Sequence, residues 1–117
     1  METFILLTRV APEAVRAPKN LDELEKKASD LIRQDCPDVK WVANYAVLGP
    51  YDYLDIFTAP DIATAAKVAA IVRSYGRAHS EIWPATEWRT FKDMLYHITD
   101  VAKDEGTDVR AGWDPSL

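Results

Sequence analysis

Few side chains in this sequence have a type and setting suited to proton transfer. Asp55 interrupts the apolar run YLDIFTA, residues 53 to 59, and a carboxylate there must reach water or find hydrogen-bond partners, because unpaired burial is costly. Facing a confined cavity it would hold its proton more tightly and serve as a general base. The alternative pairs it with Arg9 or Arg77 across strands or subunits. His79 and Glu81 lie two apart in RAHSEIW, so on a strand both point the same way, roughly 7 Å apart at the backbone. His79 reads either as a general acid or base beside Asp55 or Glu81, or as a solvated or hydrogen-bonded histidine. A metal would need a third ligand. The only other histidine is His97, beside Ile98, and HxxxH, HExxH and cysteine-cluster spacings are absent, so neither a metal nor a cofactor is expected.

A second constellation is LGPYDY, residues 48 to 53. In a turn, Gly49 supplies backbone freedom, Asp52 accepts turn amides and Tyr51 packs its ring and donates its hydroxyl. The functional reading puts Tyr51 and Asp52 at a pocket rim, positioning a polar ligand group. Four tryptophans and five tyrosines are many for this length. Trp41, Tyr45, Trp83, Trp88 and Trp113 either line an apolar cavity or bury a dimer contact. The candidate ligand-binding residues are Tyr45, Tyr51, Asp52, Tyr53, Glu81 and Trp83; the candidate catalytic residues are Asp55 and His79. GxGxxG, P-loop, GxSxG and RNP-like patterns are absent, which weakens nucleotide-dependent and serine-hydrolase readings.

Positioning these residues requires a particular order of elements. TFILLTR, residues 3 to 9, is apolar at both parities, which predicts a central strand covered on both faces. Asn20 with Glu23 resembles a capping box, and Leu21, Leu24, Ala28, Leu31 and Ile32 follow at helical spacing up to about Asp35. The charges Asp22, Glu23, Glu25, Lys26, Lys27 and Arg33 read as that helix's solvated face. Residues 39 to 49 and the stretch from Tyr53 to about Ala59 predict an antiparallel hairpin in which Leu54 and Ile56 alternate with Tyr53, Asp55 and Phe57. Asp61 is the expected N-cap of an alanine-rich helix that ends at Gly76 and meets a second surface besides its own sheet. Residues 77 to 83 predict a fourth strand ending at Pro84. Thr90 with Asp93 predicts a capping box for a last helix running toward Gly106. The result is α+β: a ferredoxin-like split βαβ, in the order βαββαβ plus a C-terminal helix, with residues 1–103 as the domain and 104–117 as a tail. Helices on one sheet face leave the other to be covered, and a second copy is the cheapest cover. A homodimer forming an α/β barrel, with a pocket between sheets and loops, is expected.

At 117 residues, one domain accommodates the chain. Its formal charge of −5, from 14 basic and 19 acidic residues, opposes nonspecific attraction to nucleic acid or anionic lipid. The only cysteine, Cys36, has no intramolecular disulfide partner, which fits a reducing cytoplasmic setting. METFILLTRV has no basic leader and no apolar run approaches bilayer length, so neither secretion nor a membrane partner is expected.

The segment LGPYDYLDIFTAPD, residues 48 to 61, with Gly49, Tyr51 and Asp52, resembles the signature of the GYD-domain family. Support comes from the strand, helix and strand before it, the alanine-rich helix after it and WRTF, residues 88 to 91, so the likeness covers about residues 1 to 103. HSEIWPATEW, residues 79 to 88, is more aromatic than the family pattern, and the chain beyond about residue 104 departs from it. The resemblance implies a dimeric α/β barrel of ferredoxin-like type and no defined reaction. The leading expectation is a homodimer, extending to higher oligomers in some arrangements, that binds a small apolar or aromatic molecule between sheet and helices. One alternative is a cofactor-independent monooxygenase or isomerase, with Asp55 and His79 moving protons and Tyr45 or Tyr51 orienting substrate. The other is an assembly partner whose aromatic surface contacts another protein.

Overall fold

A computed structural model describes residues 1–12, 18–75 and 78–98, apart from the side chains of 18–21, 75 and 78. The elements are β1 (Glu2–Val10), α1 (Pro18–Asp35), β2 (Lys40–Ala46), β3 (Tyr53–Ala59), α2 (Ile62–Tyr75), β4 (Ala78–Ala85) and α3 (Trp88–Ile98). Contacts divide the chain into two compact units, Met1–Ala85 and Thr86–Leu117.

In the first unit the strands form one antiparallel sheet in the order β2-β3-β1-β4. The topology is α+β and compatible with the ferredoxin-like arrangement. β1 is internal, as its doubly apolar pattern predicts. Its even residues Phe4 and Leu6 join Phe57 and Ala59 of β3, Ala28, Ile32 and Cys36 at the α1 end, and Ala65, Val68 and Ile71 of α2 in the core. Both helices thus pack on one sheet face. On the other, Leu7 is only 4% exposed and Ile5 is half-buried. Burial of this apolar surface, at about 25 cal/mol per Å2, is the main source of stability.

Local chemistry explains the boundaries. α1 starts at Pro18, two residues before the expected Asn20; proline suits the first helical turn, where its missing N–H has no carbonyl to meet. The Thr64 amide and hydroxyl both donate to Asp61 Oδ1, at 2.8 and 2.7 Å, so Asp61 caps α2 as expected. The far side of α2 exposes Ala63, Ala66, Lys67 and Ala70. β4 continues through Pro84 because it is an edge strand, where a missing N–H is tolerated. Between Trp41 and Ala43 the β2 register shifts, so Val42 is an extra residue on the other edge.

In the second unit, Glu87 rather than Thr90 caps α3. The Thr90 amide donates to Glu87 Oε2 at 3.0 Å and the Phe91 amide to the Glu87 carbonyl at 3.0 Å, so the helix opens two residues before Thr90. Trp88 and Phe91 pack with ring centroids 5.8 Å apart. Arg77, Gly76, Gly106, Trp113 and the 104–117 tail lie outside the described residues.

Gly49 departs from the turn expectation. Its φ lies outside the left-handed region and an added Cβ would meet nothing within 4 Å, so the hairpin does not need glycine there. Gly49→Ala is expected to leave stability within about 1 kcal/mol of wild type, on the stabilising side, because alanine restricts the unfolded chain. Urea unfolding checks this; a clear loss would mean that the turn does need glycine's backbone freedom.

Candidate functional site

Among the described residues, the hairpin and α1 together border a cleft, partly open to solvent, that is large enough to hold a small molecule. Its volume is about 490 Å3, within the range of small-molecule sites. Leu6, Thr8 and Val10 of β1 and Tyr53 and Asp55 of β3 contribute one wall, with Trp41, Asn44, Tyr45 and Ala46 from β2; Leu24, Glu25, Ala28, Ser29 and Ile32 of α1 face them, and Val72 of α2 contributes. Strand periodicity brings the sheet residues together: Leu6 pairs with Asp55 and Thr8 with Tyr53, placing all four on the helix-bearing face. Trp41 and Phe57 pack with centroids 5.3 Å apart, tying the edge strand to the core beside the cavity.

Asp55 is the most confined carboxylate of this space. Its Oδ1 accepts a 2.7 Å hydrogen bond from Asn44 Nδ2. Burial raises its pKa, the Asn44 hydrogen bond opposes the rise, and the charge of Glu25 adds to it. Of the two expected arginine partners, Arg9 belongs to the opposite parity of β1, where its guanidinium lies 5.6 Å from the Tyr51 ring centroid; Arg77 lies outside the described residues.

The raised folded-state pKa has a definite sign in stability. The folded protein holds the Asp55 proton more tightly than the unfolded chain, so this contribution is complete below the unfolded carboxylate range and is lost as pH rises through the folded value. Asp55→Asn retains an acceptor for Asn44 and removes a half-buried charge. It is expected to stabilise the protein at neutral pH by less than about 1 kcal/mol, because Asp55 is only half-buried and hydrogen-bonded, below the low end for burying an unpaired polar group. Urea unfolding at neutral and mildly acidic pH should show that the gain shrinks in acid.

The other candidate residues are distributed elsewhere. Tyr45 borders the cavity from the edge strand and Tyr53 lines it. Asp52 has a backbone role: its Oδ2 accepts from the Val10 amide at 2.8 Å, its amide donates to the Thr8 carbonyl at 2.8 Å, and its carbonyl accepts from Val47 at 2.9 Å. Asp52 therefore ties the hairpin loop to the end of β1, and the side-chain acceptor serves Val10 instead of a turn amide. His79, Glu81 and Trp83 pair with Arg9, Leu7 and Ile5. They occupy the sheet face opposite Asp55, so His79 and Asp55 do not converge within one chain.

Trp83 is 49% exposed, and Glu81 Oε2 is buried without a hydrogen-bond partner among the described residues. Among those residues no group of three or more His, Cys, Asp or Glu is placed to hold a metal. Cys36 is a core residue whose burial raises its thiol pKa.

Sequence reasoning missed Asn44, Thr8, Ser29 and Glu25. Pairing Asn44 with Asp55 needs the bulge at Val42, which the strand pattern does not announce. Glu25 sits one position from Leu24 on α1, so its place at the cavity follows from the angle at which the helix lies on the sheet.

A family model described as GYD domain matches residues 4–95. The chain belongs to the GYD domain family. This GYD protein is 34% identical over 76 residues to a Thermus thermophilus protein named glutamine synthetase and cystathionine beta-lyase binding protein; the match covers 65% of the chain and 79% of that relative. No solved structure matches the chain significantly. Among the described residues, no helix of the GYD protein is long and apolar enough to cross a membrane.

Proposed function

We propose that this GYD protein is a binding protein that works as a homodimer and holds a small apolar or aromatic molecule between α1 and its sheet. The cavity carries this reading: a partly open cleft of about 490 Å3 combines apolar walls with a polar end at Asp55 and Asn44. The oxygenase or isomerase alternative is less well supported because His79 is on the other face of the sheet. Two-fold pairing through that face would close a dimeric α/β barrel and cover Ile5, Ile56 and Trp83. A reducing cytoplasmic location remains part of the proposal, from the lone buried Cys36.

Native mass spectrometry of the purified protein, with activation raised in steps, tests both parts. The expected spectrum is a dimer that carries a small extra mass and releases it on activation. A monomer at all concentrations would overturn the dimer, and a bare protein that also fails to take up small apolar molecules would overturn the cavity reading.

A second reading has its own support. The relative's name describes binding to two enzymes, and here Trp41, Val42 and Tyr45 on edge strand β2 and Leu48 beyond it are exposed, a composition suited to a protein interface. In this reading the chain docks on an enzyme such as glutamine synthetase of its own cell. Sedimentation of the mixed purified proteins should reveal a joint species that Val42→Asp and Leu48→Asp weaken; unchanged separate boundaries would overturn it.

A further inference from the structure

The cavity is apolar over most of its wall, but the formal charges that line it are of one sign. Asp55 enters from β3 and Glu25 from α1, and no lysine, arginine or histidine is among the described residues lining the space. Tyr53, between them, registers the same field: burial raises its hydroxyl pKa and the nearby charges of Glu25, Asp52, Asp22 and Asp55 raise it further. Asp55 uses Oδ1 on Asn44, while Oδ2 accepts no hydrogen bond among the described residues. Trp41 and Tyr53 place aromatic surface in the same space.

These features select a ligand by charge. An anion would be repelled by both carboxylates, and a neutral alcohol would leave the confined Asp55 charge without a counterion. A cation gains from the carboxylate and from ring faces within reach, while an apolar body gains by leaving water against Leu6, Ala28 and Ile32. We propose that the cavity, given the ligand-binding reading above, takes a protonated amine with an apolar or aromatic body, its ammonium group donating to Asp55 Oδ2. Glu25 is exposed, so it steers the cation toward the mouth and adds little affinity, as exposed pairs do.

The test is calorimetric titration of the full chain at neutral pH with 2-phenylethylamine, 2-phenylethanol and 3-phenylpropionate, which share a ring and differ in charge. The amine is expected to bind about tenfold or more tightly than the alcohol, with the acid weakest. Asp55→Asn should remove that preference while keeping the wild-type circular dichroism spectrum, and Glu25→Gln should change amine affinity by less than about threefold. Equal binding of all three, preference for the alcohol or acid, or an amine preference that survives in Asp55→Asn would overturn the amine assignment and leave the cavity reading standing. Absence of saturable binding by all three would overturn both.

Discussion

Phe57→Ala is expected to cost about 3–5 kcal/mol, the range for removing a buried aromatic side chain from a packed core. Phe57 is fully buried. Its ring lies 5.6 Å from that of Phe4 at an interplanar angle of 28°, and 5.3 Å from that of Trp41 at 55°. Truncation removes its transfer free energy and both ring contacts, and it leaves a hole between β1, β3 and edge strand β2 that this framework has little freedom to close. A domain of this size has about 5–15 kcal/mol in total, so the variant should be partly unfolded at moderate temperature. Urea unfolding followed by tryptophan emission measures the loss. Phe57→Leu, which keeps most of the volume, should cost less than about 2 kcal/mol. If alanine costs as little as leucine, the three-ring cluster is not what anchors β2.

Asp52→Ala should be the next most damaging change, at about 1.5–3 kcal/mol, the range for a hydrogen bond to a charged group. The carboxylate accepts from the Val10 amide across 42 residues of sequence, and alanine leaves that amide without its acceptor. Asn at this position retains an oxygen acceptor and should recover much of the loss. Equilibrium unfolding gives the energy, and faster hydrogen exchange at the Val10 amide localises it. Were Asp52 instead a ligand-positioning group, the alanine variant would keep stability and Val10 protection and lose small-molecule binding. The Asp55 and Asp52 carboxylates thus have opposite expected signs: removing charge at Asp55 helps the neutral-pH fold, whereas removing the side chain at Asp52 opens it.

Sequence alone determined the elements wherever a short-range rule decides them. The period-2 alternation of β3 placed Tyr53, Asp55 and Phe57 on one face, and the register with β1 agrees. The apolar residues at both parities of β1 marked an internal strand. Asp61 capped the following helix because its acceptor needs only an amide three residues away. The hairpin segment from residue 48 carried the family likeness, which the match over residues 4–95 establishes.

What tertiary structure decided depended on distance across the fold. Strand parity shows that His79, Glu81 and Trp83 share a face, but which face follows only from pairing Leu7 with Glu81 and Leu6 with Asp55. A one-residue slip would have exchanged the two faces. Glu25 belonged to a charged helix surface until the seating of α1 brought it beside the cavity. The side-chain hydrogen bond of Asp52 could not be assigned locally because its donor is at the far end of β1. Local sequence specifies which groups share a strand face or a helical turn; the register and angle of packed elements decide which charges border one cleft, and chemistry depends on that second arrangement.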